Sequence, residues 1–311
     1  MAQREEFYYD SRDGAHKIRA LKWKGTGDIL CVLQLVHGMA EHIERYDDFA
    51  NYMADRGILV VANDHLGHGK SVANKEEYGY FCEKDPLTVV VRDIHRLKKL
   101  TQEENPGKPY FILGHSMGSL LLRNYLFRYG NGINGAVLSG TASQSALMTK
   151  PGLILLKLVG CFKGDRYRSP FAAGLVMGNP NKRISNRRTD FDWLCQDEEI
   201  VDRYIADETC GFLFTINGYL TLVKSVDRLN DPKLLSQMPK DLPVIFLSGE
   251  EDPVGNYGAG VRRAYEQFKK AGMKQTEMKL YPGLRHEILN EKCKTEIYED
   301  VLAYIQKHIQ S

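Results

Sequence analysis

Between Pro109 and Tyr129 the chain reads as a buried strand, Tyr110-Phe111-Ile112-Leu113. It runs through Gly114-His115-Ser116-Met117-Gly118 into a helix with Leu120, Leu121, Tyr125 and Leu126 at helical spacing. No other stretch constrains the fold as much. The reversal from strand to helix in a Gly-x-Ser-x-Gly element is so tight that a side chain two residues either side of the serine would strike its neighbours, which is why Gly114 and Gly118 stand there. A serine in that setting is a candidate catalytic nucleophile, and the rest of the sequence can be searched for the groups it needs.

The flanking sequence repeats the same alternation. Glu5 to Tyr9 and Lys17 to Trp23 alternate polar and apolar residues around Ser11-Arg12-Asp13-Gly14, the pattern of a half-exposed β-hairpin. Short apolar-rich runs follow at Ile29–Val36, Ile58–Ala62, Tyr110–Leu113, Gly135–Leu138, Val244–Leu247 and Glu277–Tyr281, most of them strands expected to be buried on both faces. Amphipathic stretches lie between or after them at Asp47–Arg56, Leu87–Glu103, Ser119–Tyr129, Ala259–Lys270 and Lys294–His308. Strands alternating with helices predict an α/β fold: a mostly parallel sheet of about eight strands with helices on both faces.

The alternation lapses between about Thr141 and Pro232. Residues 1–140 and 233–311 are therefore expected to form the core, and residues 141–232 an inserted helical cap over the carboxyl end of the sheet, where open α/β folds hold their sites. Within the insertion, packing onto the core is the favoured reading of the apolar run Leu153–Val159, ahead of an acyl channel or a contact with a membrane or micelle surface. The basic residues Lys182, Arg183, Arg187 and Arg188 read as a solvated face rather than a phosphate site.

At 311 residues, 26% of them charged, with a net charge of +2, the chain is a globular protein with no electrostatic pull toward nucleic acid. The charged start Met1–Phe7 and the absence of a long apolar run lead to the expectation of a cytoplasmic protein. Six scattered cysteines, with no Cys-x-x-Cys pair, are expected to be reduced and mostly buried, without functional weight.

A serine hydroxyl is a poor nucleophile at neutral pH and needs a general base, which in turn needs an acid to fix its tautomer. In the α/β-hydrolase order the acid and then the histidine follow the serine on loops after late strands. Of nine histidines, His286 and His308 follow the last strand. His308 falls on the closing helix and reads as solvated, which leaves His286 as the base. After the strand Val244–Gly249 come Glu250, Glu251 and Asp252; Asp252 is favoured because Pro253 fixes the next turn and the short side chain is easily held rigid. For an oxyanion two backbone donors are needed, and the amides of Met117 and, beside Gly38 in the early loop, Met39 are the candidates. No metal or cofactor is expected: His37, His42, His65 and His68 are set aside as ligands, and Asp64-His65-Leu66-Gly67-His68-Gly69-Lys70-Ser71 fails as a phosphate loop because Asp64 stands where glycine is required. It reads instead as a shaped turn beside the site.

With these residues in hand, the chain resembles the monoacylglycerol lipase and lysophospholipase group of α/β-hydrolases, relatives of the serine aminopeptidases. The likeness rests on His37-Gly38-Met39-Ala40-Glu41-His42 with Arg45-Tyr46, on Asp64–Ser71, on Gly114–Gly118, on Ser248–Asp252 and on Tyr281–Glu287. It implies Ser116, Asp252 and His286 as a triad and the Met39 and Met117 amides as the oxyanion hole. In the insertion, Asp190–Leu194 and Asp207–Phe212 are similar to bacterial lysophospholipase-type members instead of the animal lipases. The resemblance implies a serine hydrolase acting on small-molecule acyl esters of lipids. A short-chain or aryl carboxylesterase is the alternative, with a proline-type aminopeptidase or a non-catalytic binding module behind it.

Overall fold

The computed structural model of the chain describes residues 2–309. Eight strands form one sheet: β1 Gln3–Asp10, β2 Lys17–Lys24, β3 Cys31–Val36, β4 Ile58–Asn63, β5 Tyr110–His115, β6 Gly135–Ser139, β7 Val244–Gly249 and β8 Thr276–Tyr281. Their order across the sheet is β1-β2-β4-β3-β5-β6-β7-β8. The opening hairpin pairs antiparallel, β2 joins β4 antiparallel, and every pairing from β4 through β8 is parallel. The helices are α1 Asp47–Ala54, α2 Pro86–Glu104, α3 Met117–Tyr129, α4 Ala146–Lys163, α5 Pro170–Met177, α6 Glu198–Ala206, α7 Ile216–Arg228, α8 Pro232–Ser236, α9 Ala259–Lys270 and α10 Lys294–His308.

The period-two alternation of side chains along a strand divides the core between two faces. Val32, Leu59, Val61 and Ile112 point to the side covered by α2, α3 and α9, where Leu97, Leu121 and Phe268 meet them. Their neighbours Leu33, Val60, Phe111 and Leu113 point to the other side, against Phe49 and Met53 of α1 and Val301 and Ile305 of α10. Strands covered on both sides have no solvent face, which is why β3 to β7 are dominated by apolar residues; the polar break in β3, Gln34, is buried and donates to the Ile94 carbonyl while accepting from the Tyr110 hydroxyl. Each fully buried aliphatic side chain among them contributes about 1.5–3 kcal/mol. The edge strand β8 is only partly covered.

The expected elements sit within a few residues of their observed bounds, and two local expectations are corrected. His308 is buried rather than solvated, with its ring 5.0 Å from that of Tyr304. The second concerns α4, where packing onto the core was the favoured reading. Along α4 only Thr149 and Leu156 are buried, while Leu147, Ile154, Leu158 and Phe162 stand in solvent. The physical reason is that α4 is apolar nearly all round, so burying one stripe against α7 leaves the rest uncovered. Among the described residues no helix is long and apolar enough to cross a membrane.

Candidate active site

The carboxyl ends of β3, β5, β7 and β8 deliver the groups singled out in the sequence to one place. Ser116 sits between β5 and α3 with φ 52° and ψ −120°, a left-handed conformation that a non-glycine residue adopts only under constraint. Packing supplies that constraint: a Cβ on Gly118 would lie 1.9 Å from the Val36 carbonyl oxygen, and one on Gly114 would lie 2.5 Å from the Gly118 carbonyl oxygen. The Ser116 amide donates to the Ser139 carbonyl at 2.9 Å, tying the turn to β6.

Asp252 follows β7 and His286 follows β8, both almost fully buried. His286 Nδ1 lies 3.0 Å from Asp252 Oδ2. With Nδ1 donating to the carboxylate, Nε2 keeps the lone pair a general base requires. The Ser248 hydroxyl donates to the same oxygen at 3.2 Å and the Val254 amide to Oδ1 at 2.8 Å, so the carboxylate is held at both ends. Glu250 and Glu251 are exposed, as a solvated role requires. Burial pulls the His286 imidazole toward neutrality, but the Asp252 carboxylate outweighs it and raises the pKa above the usual histidine value. The ring of His115, 4.7 Å away, is pushed down to about 3, first by burial and then by His286, and stays neutral.

Gly38 and Met39 lie in the turn after β3. Gly38 approaches the elbow so closely that a Cβ there would be 3.1 Å from the Ser116 Cβ. The amides of Met39 and Met117 have no hydrogen-bond partner among the described residues, and Met117 opens α3, where the first turn leaves its N–H groups unpaired.

Sequence reasoning missed what joins these loops. Arg45 reaches Glu287, the residue after His286, with two bonds of 2.7 and 2.6 Å, and Glu41 with a third of 2.7 Å. Glu41 also accepts from the Gly38 amide at 2.6 Å and the Tyr46 hydroxyl at 2.8 Å. One guanidinium thus ties the histidine loop to the turn that carries Met39. Burial pushes the Glu41 carboxyl up, whereas Glu287, though burial also raises it, is held below the usual range by its bidentate bond to Arg45. Arg45, Tyr46 and Glu287 were visible in the motifs, but their pairing spans 242 positions. The segment between β6 and β7 adds Trp193, whose ring lies 5.2 Å from His286, and Leu194, whose carbonyl accepts from the Glu287 amide at 2.7 Å.

The turn Asp64–Ser71 is a structural brace. Asp64 is buried and accepts from the amides of Ile43 and Lys70, both at 3.0 Å, and from Arg19 at 3.2 Å. Arg187 and Arg188 are exposed and pair with Asp190 and Asp202, and Arg183 stacks on Tyr257, consistent with a solvated face.

Ser116, His286, Met39 and Met117 all open onto a cavity of about 540 Å³ whose lining includes Met148, Leu155, Leu175, Phe212, Leu222 and Val223. Its size and apolar lining fit a small organic ligand. A nucleophile elbow, an acid-held histidine and an apolar pocket on an eight-stranded, mostly parallel sheet define an α/β-hydrolase. The family profile described as serine aminopeptidase, S33, matches residues 28–293, and the chain belongs to that family. A monoacylglycerol lipase of Mycolicibacterium smegmatis is 28% identical over 292 residues, covering 92% of this chain and 92% of that protein. A thermostable carboxyl esterase of Bacillus coagulans, solved with glycerol, superposes with a TM-score of 0.92 at 29% identity, covering 99% of both chains. A soluble variant of the Saccharomyces cerevisiae monoglyceride lipase, solved with a substrate analogue, shares the fold with a TM-score of 0.78 at 21% identity, over 99% of this chain and 96% of that one.

Proposed function

We propose that the chain hydrolyses carboxylic esters carrying a medium or long acyl chain, of the monoacylglycerol or lysophospholipid type, through an acyl-enzyme on Ser116. His286 Nε2 takes the hydroxyl proton as Ser116 Oγ attacks the carbonyl carbon, and Asp252 steadies the imidazolium. The amides of Met39 and Met117 bind the oxyanion. The imidazolium then protonates the leaving alcohol, and water, deprotonated by the same nitrogen, releases the acid and restores Ser116. The observation that carries this reading is the 3.0 Å His286–Asp252 bond, with His286 and Ser116 lining the same largely apolar cavity.

Residues 141–232 act in this reading as the cap. Met148, Thr149, Pro151, Gly152 and Leu155 of α4 face the cavity, while Leu147, Ile154, Leu158 and Phe162, with Phe171 of α5, face solvent. One helix with an inner apolar face and an outer one suits a transient contact with a micelle or bilayer from which an acyl chain is drawn.

The similarity to the carboxyl esterase favours a second reading, hydrolysis of short-chain or aryl esters. A graded series of p-nitrophenyl esters separates the two. Burying each added methylene contributes about 0.8 kcal/mol, so kcat/KM is expected to rise about fourfold per CH₂ until the cavity is full. A maximum at acetate would overturn the lipid reading and leave the esterase.

A further inference from the structure

His42, Asp207 and Cys210 bring an imidazole, a carboxylate and a thiol together where the turn after β3 meets the loop after α6, their ligand atoms all within 4.8 Å of one another. Among the described residues it is the one place where three or more such groups converge in this way. None of the three takes part in the chemistry above. His42 and Cys210 are more than nine-tenths buried. His42 Nε2 lies 2.8 Å from Asp207 Oδ2, while the Thr209 amide and hydroxyl hold Oδ1 at 2.8 and 2.6 Å, so the carboxylate cannot swing away. A plain histidine–carboxylate bond accounts for those two atoms. It does not account for the free Cys210 thiol converging on the same pair.

We propose that these three side chains form a binding site for a divalent ion of the zinc type, with His42 Nε2, Asp207 Oδ2 and Cys210 Sγ as ligands and a fourth position open to water. The mixed nitrogen, oxygen and sulfur set suits a borderline-soft ion and disfavours calcium or magnesium, which take oxygen. Ligands on a tetrahedral zinc at 2.0–2.3 Å lie roughly 3.5 Å apart, so the site closes by side-chain movements of about 1 Å. The proton balance also works. Metal binding moves the His42 proton from Nε2 to Nδ1, on the side of the Glu44 carboxylate 3.9 Å away, and the thiol releases one proton to solvent. A bound ion would staple the insertion to the turn that carries Met39. Both the Gly211 amide, at 2.9 Å, and the Tyr204 hydroxyl, at 3.0 Å, already reach the Ala40 carbonyl across that seam.

The test uses the full chain, stripped with chelator and titrated with Zn²⁺ alone against a chromophoric competitor, then with Co²⁺ to read the thiolate-to-cobalt charge-transfer band. One ion per chain and a thiolate band are expected. Cys210→Ser should abolish the band and weaken zinc at least about tenfold, since even outer partners of metal ligands are worth 10–100-fold. Cys161→Ser, which removes an exposed thiol, should leave both unchanged. No thiolate band in the folded protein, or a band and affinity that survive Cys210→Ser, would overturn the site. His42→Ala is expected to weaken zinc likewise; if that variant fails to fold, Cys210→Ser decides alone.

Discussion

Replacing Arg45 with methionine keeps much of the alkyl stem but removes the one cation shared by two buried carboxylates. Their side chains are only 4% and 5% exposed, at Glu41 and Glu287 respectively. Removing one partner of a buried ion pair destabilises by about 3–5 kcal/mol, because the remaining charge is stranded away from water. Unfolding entropy of about 2.1 cal/mol/K per residue over 311 residues gives roughly 0.65 kcal/mol per kelvin, so Tm should fall by about 5–8 °C. Adding Glu287→Gln should recover part of that loss, since Glu41 keeps the Gly38 amide and Tyr46 hydroxyl as donors. Activity should fall as well, mainly in kcat, because the lost bonds position the His286 loop against the Met39 turn rather than touch substrate. The assays are thermal unfolding by circular dichroism and kinetics on a soluble ester. A Tm loss under about 2 °C, or a double variant no more stable than Arg45→Met alone, would refute the reasoning.

Two further outcomes follow from the site and the insertion. His286 must be neutral to act as base, and its pKa is raised above the ordinary 6.5; kcat/KM should therefore rise with pH along an acid limb lying above that value. Asp252→Asn removes the group that raises it, so the limb should move down while the rate falls, and a limb that does not move would count against the pairing. On the outer face of α4, Ile154→Ser with Phe162→Ser should weaken binding to phosphatidylcholine vesicles by about tenfold or more per side chain, without altering hydrolysis of a soluble short ester. Unchanged vesicle binding would remove the interfacial role.

Local physics made much of the molecule legible. Strands covered on both sides are dominated by apolar residues, so β3 to β7 announced themselves, and the Gly114–Gly118 turn was readable because its glycines answer to steric contacts within one strand–helix unit and its neighbour. Asp252 could be chosen over Glu250 and Glu251 because a proline-fixed turn favours a short, rigid acid. Long-range pairing was not legible. Nothing near Arg45 indicates that its partner lies after His286, and nothing in Trp193 indicates that it packs on that ring. Periodicity likewise tells that α4 has apolar surface but not which part finds a neighbour, so Ile154 and Leu158 were expected to pack on the core and lie in solvent. The same limit hid His308, whose covering Tyr304 lies one helical turn away on a face the pattern could not assign.

The central claim is that Ser116 is the nucleophile of a working Ser–His–Asp site. The most direct measurement is mass spectrometry of the folded chain after reaction with a fluorophosphonate, with peptide mapping of the adduct. One adduct per chain on Ser116 is expected, absent in Ser116→Ala and formed far more slowly in His286→Ala. An unlabelled but folded chain, an adduct on a different serine, or full esterase activity in Ser116→Ala would contradict the account.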